Sequence, residues 1–173
     1  PAFSVIKNLN IKPRFIEAHR LSEFNPRGND VPVILDLMIH DLDIILSLIK
    51  SEIKNIHANG VKIVSPTVDI ANARIEFNNG CVANLTASRI SQKSMRKMRL
   101  FQEKDYITID FQEGILEEYK VCDKPPIPEK GDQVVELDGK EKKYILYRKP
   151  SIPKYNALKE EFIHFVDSIQ NVK

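Results

Sequence analysis

The six glycines, at 28, 60, 80, 114, 131 and 139, are so placed that no two lie two residues apart. The dinucleotide-binding fingerprint G-x-G-x-x-G is therefore absent. So are the phosphate loop G-x-x-x-x-G-K-[ST] and the nucleophile elbow G-x-S-x-G. If the protein handles a nucleotide, the phosphate-binding loop is not in this chain. Cysteine is scarce: Cys81 and Cys122, with no Cys-x-x-Cys for zinc or redox work. That usage favours a reducing compartment. No apolar run reaches the length of a membrane span. Pro1-Ala2-Phe3-Ser4 lacks the basic start and apolar core of a signal peptide. The expectation is a cytoplasmic protein. Neither sign of charge dominates, with 26 Lys+Arg against 24 Asp+Glu and a formal net charge of +2. Such a balance gives no argument for nucleic acid or an anionic membrane as partner.

What is present is a chain of 173 residues, 42% apolar, enough for one domain with a real core. Residues 1–9 read as the tail of a helix, with Phe3, Ile6 and Leu9 three apart. Residues 15–21 read as a strand on which Phe15, Glu17, His19 and Leu21 share a face and Arg20 points the other way. A loop over 22–30 follows. Then comes a helix to about Ile49, with Asp30 as cap, Pro32 near the first turn, and a stripe of Leu35, Met38, Ile39, Leu42, Ile45, Leu46 and Ile49. The period then changes to two. Strands are expected over 53–64, 71–77 and 81–88, the last two joined by an Asn79-Gly80 hairpin. Further strands follow at 96–101, 106–111 and 115–121. After a proline-broken loop over 123–130, a hairpin turns at Asp138-Gly139 between 134–137 and 143–147. Asn156 caps a closing helix with a core stripe of Leu158, Phe162, Phe165, Val166 and Ile169. Strands in hairpin order with few helices make an α+β pattern: a largely antiparallel open sheet with helices packed on one face, in a single domain spanning 1–173.

The residues able to carry chemistry lie on the first long helix. Asp36, His40 and Asp43 recur at i, i+4 and i+7 on its polar side. A carboxylate beside an imidazole favours its charged form and orients the ring, as general acid/base catalysis requires near neutral pH. The plain alternative is a solvated helix face with an ordinary ion pair. Against it, these carboxylates sit at mid-helix on an otherwise apolar element, away from the first turn that the dipole favours. A second polar set is Glu17, His19, Arg20 and the loop residue Arg27, readable as a substrate-contacting edge or as a surface strand. A His/carboxylate metal site from Asp36, His40 and Asp43 with Glu17 or His19 is an open alternative. Glu161 and His164 read as a surface pair. Two basic clusters, around Lys97 and Arg99 and around Lys142 and Lys143, read as solvated strand faces.

Leu35-Asp36-Leu37-Met38-Ile39-His40-Asp41-Leu42-Asp43 resembles the second-domain signature "LxDxGxHxxD" of the glucose–fructose oxidoreductase / inositol dehydrogenase (Gfo/Idh/MocA) family. Ile75-Glu76-Phe77-Asn78-Asn79-Gly80-Cys81-Val82-Ala83 is similar to its "F-x-N-G-x-x-A" strand pair. Residues 158–165 resemble its final helix. The resemblance implies the C-terminal domain of a two-domain enzyme whose N-terminal Rossmann domain binds NAD or NADP, leaving no cofactor-binding residue and no metal in this chain. It implies His40 as acid/base on the hydroxyl or carbonyl of a carbohydrate-like substrate, such as a sugar, sugar nucleotide or cyclitol. Asp36 would bind a sugar hydroxyl or orient His40, and Asp43 would be structural or at the substrate's edge. Glu17, His19 and Arg27 are the remaining substrate-contact candidates. The open sheet face would join copies into a homo-oligomer. The fragment alone would be inactive. Met38 stands where the family has glycine, and the upstream Gly-Gly pair is missing. The family also holds NAD-dependent glycosidases and reductases of linear tetrapyrroles, and a non-catalytic binding or assembly domain is a further alternative.

Overall fold

The computed structural model describes residues 11–26, 30–139, 141–151 and 157–170. The expected helix over 1–9, Arg27 and the Asn156 cap lie outside them. Nine strands form one mixed sheet: β1 (Phe15–Leu21), β2 (Ile53–Val61), β3 (Ile70–Phe77), β4 (Val82–Ser88), β5 (Met95–Phe101), β6 (Asp105–Asp110), β7 (Ile115–Cys122), β8 (Gln133–Leu137) and β9 (Lys143–Arg148). Their order is β2-β3-β4-β1-β5-β6-β7-β9-β8. Every pairing is antiparallel except β1 with β4. The first strand thus enters mid-sheet. Its neighbour β4 is reached only after the helical segment and the β2–β3 hairpin, because a parallel pair needs a long crossover. Local signals set the hairpins: Gly80 (φ 83°) turns β3 into β4 and Gly114 (φ 66°) turns β6 into β7.

The helical segment starts as a π-turn (Ile34–Met38), with the Ile39 N–H bonded to the Ile34 carbonyl, and continues as α1 (Ile39–Leu48). It opens at Val33 with no side-chain cap, so Asp30, exposed, does not serve as one. The expected apolar stripe divides. Met38, Ile45 and Ile49 are buried, while Leu35, Ile39 and Leu46 are exposed. The sheet beneath explains the close fit. Ala18, Ala71, Ala73, Ala83 and Ala87 are all buried on the covered face, and such short side chains let a helix approach. Ile16, Ile75, Leu85, Met98, Leu100, Ile109 and Leu116 complete that core. The closing helix, α2 (Ala157–Gln170), departs from expectation: Phe162, Phe165 and Ile169 are exposed and Val166 is half-buried, so the amphipathic stripe marks a helix without marking core.

The opposite sheet face carries alternate residues of the same strands. Phe15, Phe101, Tyr106, Tyr119 and Tyr147 are successive cross-strand partners on β1, β5, β6, β7 and β9. Their rings form one row with centroids 5.7, 4.8, 5.2 and 5.0 Å apart. Tyr147 donates to Glu117 at 2.8 Å. Burial and the Glu117 charge push the Tyr119 phenol up, and the bond to Glu117 pushes that of Tyr147 up, so both stay neutral near pH 7. Beside the rings, Arg99 meets Glu17 at 3.2 Å and Lys97 meets Asp110 at 3.3 Å.

The loop between β2 and β3 is held by Asp69, which is fully buried. Its Oδ2 accepts the N–H groups of Ile63, Val64 and Ser65 at 2.7, 2.7 and 2.9 Å. Among the described residues, Ser65 Oγ and Asp69 Oδ1 have no partner at hydrogen-bonding geometry. The Ser65 side chain, then these backbone donors, hold the carboxyl well below the usual carboxylate range against the opposing effect of burial. A group depressed in the folded state contributes stability that is complete above its ordinary value of 3.8 and fades as pH falls below it. Urea unfolding between about pH 6 and pH 3 should therefore show a shallower acid loss for Asp69→Asn than for wild type. Equal slopes would remove Asp69 from the acid dependence.

Candidate functional site

Orientation of α1 rests on one ion pair. Arg20, on the covered face of β1, sends Nε and Nη2 to Asp41 Oδ2 and Oδ1 at 2.9 and 2.8 Å. The side chains are 11% and 7% exposed. A fork-to-fork pair of this kind fixes both distance and rotation. With Asp41 turned to the sheet, the flanking His40 and, one turn away, Asp36 and Asp43 turn outward, and all three are exposed. Alternation on β1 predicts correctly that Arg20 leaves the Glu17–His19 face. The partner it finds, Asp41, carries no separate signal in the stripe.

Asp36 sits in the π-turn, its N–H bonded to the Pro32 carbonyl at 3.1 Å. Among the described residues no hydrogen bond or ion pair joins it to His40. Its Oδ2 instead faces Arg89 Nη2 at 3.8 Å. The expected coupling of neighbouring Asp and His assumed an ordinary helical turn, and a π-turn re-phases side chains across itself. Arg89, at the end of β4, is the residue that sequence reasoning passed over. It follows the alternating run Thr86-Ala87-Ser88 and looks like the polar end of a strand.

The expected substrate contacts fall apart in space. Glu17 and His19 lie on the open face of β1, away from the face on which α1 packs. Glu17 is engaged by Arg99 at 3.2 Å, and His19 stands between Thr86 and Lys97 in the register. The strand pleat makes this separation unavoidable, since the residue bonded to α1 and its odd-numbered neighbours point oppositely. Arg27 lies outside the described residues. Among the described residues no three His, Cys, Asp or Glu side chains gather as a metal-binding group. The second basic cluster is also partly neutralised, with Lys142 on Glu136 at 2.7 Å. Two concavities, of about 210 Å³ beside Glu118 and Tyr119 and about 500 Å³ beside Arg14 and Leu48, are lined by neither Asp36 nor His40. Burial holds Glu118 above the usual carboxylate range, with Arg148 pulling it back. The Asp36–His40–Asp43 stripe is thus one exposed wall. The three glycines with positive φ, at 80, 114 and 131, follow or precede strands, and none opens a helix as a phosphate cradle would.

Comparison with known proteins gives concordant matches. The model of the GFO/IDH/MocA C-terminal domain matches residues 13–117. A UDP-N-acetylglucosamine 3-dehydrogenase from Acidithiobacillus ferrooxidans is 43% identical over 127 residues, which is 72% of this chain and 41% of that protein. A solved structure of that dehydrogenase superposes with a TM-score of 0.81 at 33% identity, covering all of this chain and 50% of that one. An NAD-binding protein from Listeria innocua superposes with a TM-score of 0.67 over 99% of this chain and 49% of its own; at 16% identity it shows the fold alone. The chain spans about half the length of these relatives.

Removing one partner of the Arg20–Asp41 pair strands a buried charge. Arg20→Met should cost about 3–5 kcal/mol in urea unfolding, and the double variant Arg20→Met/Asp41→Leu should recover most of it. A double variant as unstable as the single would show that the pair acts through more than its own charges.

Proposed function

The chain belongs to the GFO/IDH/MocA family, as its C-terminal domain, and on that footing we propose that it is the substrate-side half of an NAD(P)-dependent dehydrogenase for a nucleotide-linked sugar. The observation that carries this reading is an exposed Asp36–His40–Asp43 wall on a helix whose other side is locked to the sheet, in a chain 43% identical over 127 residues to a UDP-N-acetylglucosamine 3-dehydrogenase. The described residues do not fit a nucleotide cofactor, having no phosphate cradle. Its site, with the second wall of the cleft, is proposed to lie in the length of the relatives that this chain does not span. The domain by itself is then inactive.

His40 is proposed to accept the proton of the sugar hydroxyl being oxidised, and to return it in the reverse direction. Asp36 is proposed to accept a hydrogen bond from a neighbouring sugar hydroxyl, which orients the reacting carbon. Asp43 lies farther along the same wall. Arg27, between β1 and the π-turn in sequence, stays a proposed contact for an anionic group of the substrate.

Glu17 and His19 are assigned elsewhere. With the aromatic row and the Arg99 and Lys97 ion pairs they form a half-buried face of mixed charge, which we propose pairs with a second copy of the chain. Both cysteines are free thiols, which supports a reducing, cytoplasmic setting.

In the full-length protein, His40→Ala should lower turnover of UDP-N-acetylglucosamine with NAD⁺ or NADP⁺ by about 10²–10⁴-fold, the range of a lost acid/base. Unchanged turnover would refute the role of His40. Reversing two charges on the open face, Lys97→Glu with Arg99→Glu, should shift the oligomer toward monomer in sedimentation velocity. An unaltered assembly would place the interface on another surface.

A further inference from the structure

Arg89 is a nearly buried cation attached to a half-exposed anion. Its side chain is 5% exposed and that of Asp36 is 50% exposed. We propose that Arg89 is a positioning residue for the Asp36–His40 wall, acting through the carboxylate of Asp36. The inference rests on the reading of that wall as the acid/base face.

A guanidinium shut off from water must find acceptors, or its desolvation goes unrepaid. Arg89 donates from Nη2 to the carbonyl of Val31 and places the same nitrogen 3.8 Å from Asp36 Oδ2. Thr67 Oγ1 donates to that same carbonyl at 3.5 Å. The backbone secures the base of the side chain: Arg89 N–H bonds to the Asp69 carbonyl at 3.0 Å, and Val33 N–H to the Val68 carbonyl at 3.0 Å. One residue thus ties the end of β4 to the loop held by Asp69 through its backbone, and to the 31–36 entry to the helix through its side chain. The 3.8 Å separation is that of an ion pair and exceeds a hydrogen bond. Asp36 is therefore held by charge while its oxygens keep their acceptor sites for a ligand. Because Arg89 is behind the carboxylate and away from solvent, its field is weakly screened. The π-turn then presents a carboxylate of fixed position within a turn of His40. Lysine would keep the charge and lose the planar guanidinium that holds Nη2 between Val31 and Asp36.

The test is a double-mutant cycle in the full-length protein, with UDP-N-acetylglucosamine and NAD⁺ or NADP⁺ as probes. Arg89→Gln should lower kcat by about 10–100-fold, the scale of a misplaced contact. Arg89→Lys should recover part of that loss, and Arg89→Gln/Asp36→Asn should be no slower than Asp36→Asn alone. A purely structural Arg89 would give losses that multiply, and that result overturns the proposal, as does an unchanged kcat in both Arg89 variants. If Arg89→Gln does not fold, the same cycle with Arg89→Lys decides. The two readings fail separately. Turnover indifferent to His40→Ala, or a wild type inert to the probe, overturns the acid/base wall and with it this role. Dependence on His40 with multiplying Arg89 and Asp36 losses overturns the role of Arg89 alone.

Discussion

The bidentate contact between Arg20 and Asp41 governs the rest of the molecule. It joins a mid-sheet strand to the helix α1 packed on the covered face, and does so where both side chains are nearly dry. Two charges taken out of water are tolerable only in good geometry with most of their bonding capacity used. The contact therefore specifies orientation more than it adds stability. A helix lying on alanines could roll with little change in burial, since small side chains offer few interlocking ridges. The forked bond to Asp41 removes that freedom. Once α1 cannot roll, His40 must face outward.

The sheet has two faces with different tasks. The covered face is aliphatic, fed by alternate residues of β1, β3, β4, β5 and β6, and continues in Leu116 and Leu146. The open face holds a line of five aromatic rings with ion pairs beside it. A half-buried surface of this kind is neither fully solvated nor closed, and cross-strand pairing keeps its rings rigid. Rigid aromatic area flanked by paired charges suits association with a surface of the same composition. The Asp36–His40–Asp43 wall and the open face lie on opposite sides of one sheet, which leaves room for two partners at once.

The two arginines beneath the helical segment, Arg20 partly buried and Arg89 buried, share a physical logic with different results. Arg20 spends its fork on a buried carboxylate and gives structure. Arg89 divides its reach between a backbone carbonyl and a carboxylate that solvent also touches. The first arrangement is closed. The second leaves an anion with open acceptor sites, and this is the feature a polar ligand can use.

Local order was legible in the residues themselves. Period-two alternation marked the strands, Asn79-Gly80 its turn, and the 3.6-residue stripe the two described helices, because these depend on neighbours in the chain. The signature around Asp36 and His40 was legible as a family resemblance. Periodicity could not say which half of an apolar stripe would be covered: Leu35, Ile39 and Leu46 are exposed while Met38, Ile45 and Ile49 are buried, and Phe162, Phe165 and Ile169 of α2 are exposed. Nor could it place β1 beside β4, or separate Glu17 and His19 from His40 by the thickness of a sheet. Partners 21 residues apart, as Arg20 and Asp41 are, or 53 apart, as Asp36 and Arg89 are, meet only after the crossover closes. The sequence by itself determined the elements, their turns and the chemical kinds of side chain, since these follow from short-range sterics and spacing. Only the tertiary structure decided which charges are paired, which are buried and which face a ligand, since burial and pairing are set by segments remote along the chain.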